Sequence, residues 1–302
     1  MLLGVRPATA EPINVVYDAS APLRATVNPL GGTAYHTYAV RYRGANTEMV
    51  PGLLTLPKPG KAPAPCVLLL HGLGGSKGNM FLPAIALARR GFASFAIDIA
   101  GQGERQRLNE QDTSATPLAE TRLAILQTVV DLRRAVDFAE TRPEIDRHRI
   151  GFLGVSLGGM IGTVFAAEEP RVRAVVLWSA GGDWGKLVTG SRHAFASRLR
   201  ATGQTDAAAI EAQMRDVDPA RFAGRLSPRP LLLFVGAQDT VIPPPCGQAL
   251  YDAARQPKRL ITLPGGHVPD PVGMLDQSLT WLERILRAPP LHSVQRRDPQ
   301  QR

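Results

Sequence analysis

The chain has 302 residues, 44% of them hydrophobic, and carries 35 Lys and Arg against 26 Asp and Glu, a formal net charge of +9. That content suffices for a large buried core, while no apolar run approaches the ~18 residues of a spanning helix, so no membrane span is expected. The basic balance suggests nucleic acid, yet the arginines are scattered and aromatics make up only 6%, so no nucleic-acid partner is expected either.

Residues 1–34 are rich in proline and alanine and read as an extended amino-terminal arm. Within them, Ala8-Thr9-Ala10 has the small residues of a leader's cleavage site, but the apolar stretch before it is short and Arg6 is misplaced. The expected location is therefore cytoplasmic, with a secreted or periplasmic one the alternative if the start is a truncated leader. Residues 35–43 and 50–57 alternate as two strands of a hairpin, and 58–65 form a proline-punctuated loop. The continuous apolar run 66–70 is a strand buried on both faces, ending at His71-Gly72-Leu73-Gly74-Gly75.

Strand and helix then alternate, as in parallel crossovers: a helix over 79–90, a strand over 93–97, a long helix over 117–140 and a strand over 150–155. The long helix has Thr116 as its N-cap, Pro117 at its first position and a core stripe of Ile125, Val129, Leu132 and Val136. Further on come a helix over 160–167, strands over 172–178, 230–235 and 260–263, and helices over 247–254 and 272–286. Residues 183–228 are too long for a simple crossover and read as a small helical cap, with helical stretches near 193–200 and 207–215. The polar tail 288–302, with Arg296, Arg297 and Arg302, is expected to stay disordered. Cys66 and Cys246 resemble neither metal ligands nor nucleophiles, and their pairing stays open.

The most informative stretch is Gly154-Val155-Ser156-Leu157-Gly158-Gly159, a G-x-S-x-G pattern between a buried strand and an apolar helix. So tight a strand-to-helix turn requires small residues on either side of the serine. A serine hydroxyl also needs a base, and the base an acid to orient it. Asp239 follows the strand ending Phe234-Val235-Gly236, and His267 follows the strand ending Leu263-Pro264-Gly265-Gly266. Both lie at carboxyl ends of strands, where open α/β sheets place their chemistry, and Ser156, Asp239, His267 is the chain order this fold uses. Asp183 is the alternative acid. The backbone amides of Leu73 and Leu157 are the candidate oxyanion donors. The 71–75 loop has neither G-x-G-x-x-G nor P-loop spacing, so a nucleotide is not expected there.

Over roughly residues 35–287 the chain resembles the α/β-hydrolase superfamily, most closely its dienelactone-hydrolase, acetyl-xylan-esterase and prolyl-oligopeptidase-type branches. The residues that carry the resemblance are Gly52-Leu53-Leu54-Thr55-Leu56-Pro57, the 71–75 loop, Asp98-Ile99-Ala100-Gly101-Gln102-Gly103, Arg142-Pro143-Glu144-Ile145-Asp146, the serine motif, Asp239 and His267. The resemblance implies an eight-stranded, mostly parallel sheet flanked by helices, a Ser-His-Asp triad, an acyl-enzyme and no cofactor. The expected function is a serine carboxylesterase acting on small to medium acyl esters, its partner a small-molecule ester. Trp184, Leu187, Val188 and Phe195 of the cap would wall a modest apolar pocket. An acyl-peptidase or amidase, a thioesterase and a non-catalytic binding protein stay open as alternatives, and the oligomeric state is not legible.

Overall fold

In the computed structural model of the protein, the described residues are 17–58, 60, 63–106 and 117–288. The Thr116 cap, the Ala8-Thr9-Ala10 motif and residues 289–302 lie outside them. The strands are β1 (Thr26–Gly31), β2 (Tyr35–Arg43), β3 (Met49–Pro57), β4 (Ala64–Leu70), β5 (Ala93–Ile97), β6 (Ile145–Val155), β7 (Val172–Trp178), β8 (Leu231–Gly236) and β9 (Lys258–Leu263). The helices are α1 (Phe81–Arg89), α2 (Pro117–Glu140), α3 (Leu157–Glu168), α4 (Trp184–Gly190), α5 (Ala194–Ala201), α6 (Ala207–Met214), α7 (Pro219–Phe222), α8 (Pro244–Ala253) and α9 (Pro271–Leu286).

The nine strands form one sheet in the order β1-β2-β3-β5-β4-β6-β7-β8-β9. β1, β2 and β3 are antiparallel to their neighbours, and the six strands from β5 to β9 pair in parallel. This is the α/β-hydrolase architecture with one strand more than the eight expected. The extra strand is β1, which falls inside the segment read as an arm and pairs with β2 from Thr26↔Arg41 onward. It escapes a sequence reading because nearly every position is exposed and it contains Pro29, so it shows no apolar alternation. A proline is tolerated because β1 is the outer edge of the sheet.

The central strands bury both faces, which explains their unbroken apolar runs. Along β4, Cys66, Leu68 and Leu70 enter the layer beneath α2 and α3, while Val67 and Leu69 enter the layer beneath α1 and α9. The α2 stripe of Ile125, Val129, Leu132 and Val136 is buried against the first layer. Because β4, β6, β7, β8 and β9 are parallel, the segments after them, including 71–75, Ser156, 179–183, 237–243 and 264–268, emerge on one side of the sheet. The stretch between β7 and β8 supplies α4 to α7 on that side. No helix among the described residues is long and apolar enough to cross a membrane.

Candidate active site

Ser156 stands alone between β6 and α3 with φ 54° and ψ −122°, a conformation costly for any residue with a side chain. The chain closes this turn because its flanks are glycine. A Cβ on Gly158 would lie 2.3 Å from the His71 carbonyl oxygen, and one on Gly154 would lie 2.5 Å from that of Gly158. The Ser156 amide donates to the Trp178 carbonyl at 2.7 Å, which ties the turn to the end of β7. Gly158→Ala is therefore expected to destabilise the protein by about 2 kcal/mol or more and to depress ester turnover with it. Urea unfolding checks this, and an unchanged midpoint would mean the turn is not packed this tightly.

Asp239 is buried at the end of β8, and its carboxylate is fully engaged. Oδ1 accepts from the Val241 amide at 2.8 Å and the Ile242 amide at 3.0 Å, and Oδ2 lies 2.7 Å from His267 Nδ1. That contact assigns the imidazole proton to Nδ1 and leaves Nε2 free to accept one. The two loops carrying Asp239 and His267 are joined by backbone, with Ala237 donating to Leu263 at 2.8 Å and Gln238 to Gly265 at 2.9 Å. Val268, at φ 52°, donates its amide to Ser179 Oγ at 3.0 Å, so the end of β7 also holds the histidine loop. Asp183 is committed elsewhere: it caps α4 by accepting from the Lys186 amide at 2.9 Å and pairs with Lys186 Nζ at 2.6 Å.

The 71–75 loop passes over Ser156, and a Cβ on Gly72 would lie 3.3 Å from that of Ser156. No group among the described residues accepts from the amides of Leu73 or Leu157, and both residues line the cavity in front of Ser156. The Leu157 amide is at the first position of α3, where the helix dipole favours negative charge. His71 fixes the loop from beneath. Its Nε2 accepts from the Ile99 amide at 3.1 Å and its Nδ1 donates to the Gly72 carbonyl at 2.8 Å, a neutral ring whose pKa burial pushes down. Gln102 Oε1 accepts from the Gly74 amide at 2.7 Å, and buried Asp98 takes the Lys77 amide at 2.5 Å and the Glu104 amide at 3.0 Å.

A cavity of about 280 Å³ opens over these groups. Ser156, His267, Leu73 and Leu157 line it, as do Trp184, Leu187 and Phe195 from the cap. Val188 does not: it is fully buried in the core, one residue further round α4 than the cavity-facing Leu187. Met160, Thr121, His193, Val241 and Ile242 are among the further wall residues that were unforeseen, because only the packing of α2, α3, α5 and the 239–242 loop brings them there. Ser179 and Gln102 were also missed as supports, although both stand just beyond strand ends. Cys66 and Cys246 are unpaired and buried, and burial pushes both thiols up to about 12, so neither supplies a thiolate. Among the described residues no group of three or more His, Cys, Asp or Glu is placed to hold a metal.

Comparison with known proteins agrees with this architecture. The chain superposes on an acetyl xylan esterase from Paenibacillus sp. R4 with TM-score 0.73 at 22% identity, covering 87% of this chain and 89% of that one. It superposes on acetyl xylan esterase 1 from Thermoanaerobacterium sp. JW/SL YS485 with TM-score 0.75 at 20% identity, covering 89% and 90%. At such identities the likeness is one of fold. An uncharacterized 31.7 kDa protein of Escherichia coli is 30% identical over 240 residues, spanning 63% of this chain and 77% of the relative. The family model for acetyl xylan esterase matches residues 29–285. The chain thus belongs to the acetyl xylan esterase family of α/β-hydrolases and is an ester-hydrolysing enzyme.

Proposed function

We propose that the protein is a serine carboxylesterase for small to medium acyl esters, working through an acyl-enzyme on Ser156. The observation that carries this reading is the 2.7 Å contact of His267 Nδ1 with the Asp239 carboxylate, on a histidine that shares one cavity with Ser156 and two uncommitted amides. His267 Nε2 takes the Ser156 proton as Oγ bonds to the ester carbonyl carbon, and the carbonyl electrons move to oxygen. The Leu73 and Leu157 amides receive that oxyanion, each such donor being commonly worth ~3 kcal/mol in the transition state. The imidazolium, steadied by Asp239, returns the proton to the departing alcohol as the C–O bond breaks. Water then repeats the sequence on the acyl-enzyme and releases the acid.

A cavity near 280 Å³ is small for a ligand site, where volumes of ~300–1,000 Å³ are usual, and its wall is largely Leu, Val, Met, Phe and Trp. It suits a short acyl chain rather than a long one. In a p-nitrophenyl ester series, kcat/KM is expected to be highest from acetate to butyrate and at least about tenfold lower at palmitate. A profile that peaks at palmitate would overturn the short-chain assignment, and turnover of acyl-peptide or acyl-thioester substrates alone would overturn the ester preference.

A further inference from the structure

We propose that His193 determines specificity by donating its Nε2–H to a second acceptor oxygen of the substrate, separate from the scissile carbonyl. The proposal rests on the serine-esterase reading of the same cavity. His193 lines that cavity from the cap, immediately before α5. Its Nδ1 accepts the Phe195 amide at 3.2 Å, so the neutral ring carries its proton on Nε2, which has no partner among the described residues. Trp184 Nε1, the other side-chain donor on the wall without a partner among the described residues, is buried beneath the cavity surface, and the remaining side-chain hydroxyls are committed. Thr121 Oγ1 donates to the Pro117 carbonyl at 2.7 Å, and Ser191 Oγ donates to that of Val241 at 2.7 Å. Ser156 and His267 belong to the chemistry.

The choice of residue is itself informative. Asp183, Asp206, Asp218 and Asp270 cap α4, α6, α7 and α9 with their side chains, in line with the general preference for Asp, Asn and Ser. Only at α5, where the cap faces the cavity, does histidine take that place among these helices. An aspartate there would satisfy the helix and bring an acceptor to the cavity, whereas histidine satisfies the helix and brings a donor. The donor is also held in register with the base. The His193 amide donates to Ser191 Oγ at 3.1 Å and the Arg192 amide to the Thr240 carbonyl at 2.7 Å, next to Asp239. A neutral, fixed N–H matches an uncharged ether, hydroxyl or carbonyl oxygen, and an all-hydrocarbon ester leaves it unanswered.

Two near-isosteric pairs test this, ethyl methoxyacetate against ethyl butanoate on the acyl side and 2-methoxyethyl acetate against butyl acetate on the alcohol side. kcat/KM is measured for all four by titrating released acid, in the wild type, His193→Asn and His193→Phe. The Asn variant keeps a good helix cap, and its shorter side chain holds its NH₂ group back from where Nε2 stands, while the Phe variant has no donor at all. Dividing each pair's ratio in the wild type by that in a variant cancels the esters' intrinsic reactivities. In one of the pairs, preference for the ether member is expected to fall about five- to tenfold in both variants. Equal ratios in all three enzymes for both pairs, or a uniform fall across the four esters, would overturn the proposal and leave His193 a helix cap. Hydrolysis of butyl acetate that survives in Ser156→Ala would instead sink the parent reading, and this one with it.

Discussion

Ser156→Ala is expected to lower kcat on p-nitrophenyl acetate by about 10⁴-fold or more, with the fold intact. The loss is large because the other hydroxyls on the wall, Thr121 and Ser191, are tied to the Pro117 and Val241 carbonyls, and both cysteines are buried with thiols pushed up to about 12. The residual rate would come from the oxyanion amides and from binding alone. Stability should hardly change, since the Ser156 amide keeps its 2.7 Å bond to Trp178 and alanine is little different from serine in the same backbone conformation. Thermal unfolding is the control, and a midpoint within a few degrees of wild type would assign the loss to chemistry rather than folding. Full activity in the variant would remove the nucleophile from the account.

Asp239→Asn is expected to cost about 10³- to 10⁴-fold in kcat, again with little loss of stability. The asparagine oxygen can still accept from the Val241 and Ile242 amides, so the loop keeps its two backbone anchors. Its NH₂ group would then face His267 Nδ1 and demand an acceptor there. That moves the ring proton to Nε2, where it blocks abstraction of the Ser156 proton. Asp183→Asn is the matched control, because Asp183 serves the α4 cap and Lys186 and makes no contact with His267. It should keep activity within about threefold. A reversed pattern, with Asp183→Asn inactive and Asp239→Asn active, would exchange the two acids.

The sequence reveals most where several constraints fall on the same residues. Around Ser156, the buried strand, the glycines that backbone contacts require and the apolar helix coincide, so the turn and its serine are legible together. Asp239 and His267 were legible as residues just past strand ends, and the structure brings them into contact at 2.7 Å. β1 was not legible, because an exposed edge strand carries no buried face to pattern its residues. Val188 was misplaced on the cavity wall because helical periodicity groups it with Trp184 and Leu187, and only the direction in which α4 packs separates them. Ser179 acts through a single hydrogen bond to the Val268 amide, 89 positions away, and His193 reaches the cavity only through the packing of the cap, relations that no local pattern announces.

The measurement that bears most directly on the account is covalent labelling with a fluorophosphonate followed by peptide mapping in a mass spectrometer. Such a reagent phosphonylates a serine oxygen that a neighbouring base has activated, and the adduct is stable enough to locate. One adduct is expected, on the peptide containing Ser156, its formation strongly slowed in Asp239→Asn and abolished in Ser156→Ala, with esterase activity lost in step. Labelling at another residue with loss of activity, or full ester turnover after stoichiometric modification of Ser156, would contradict it.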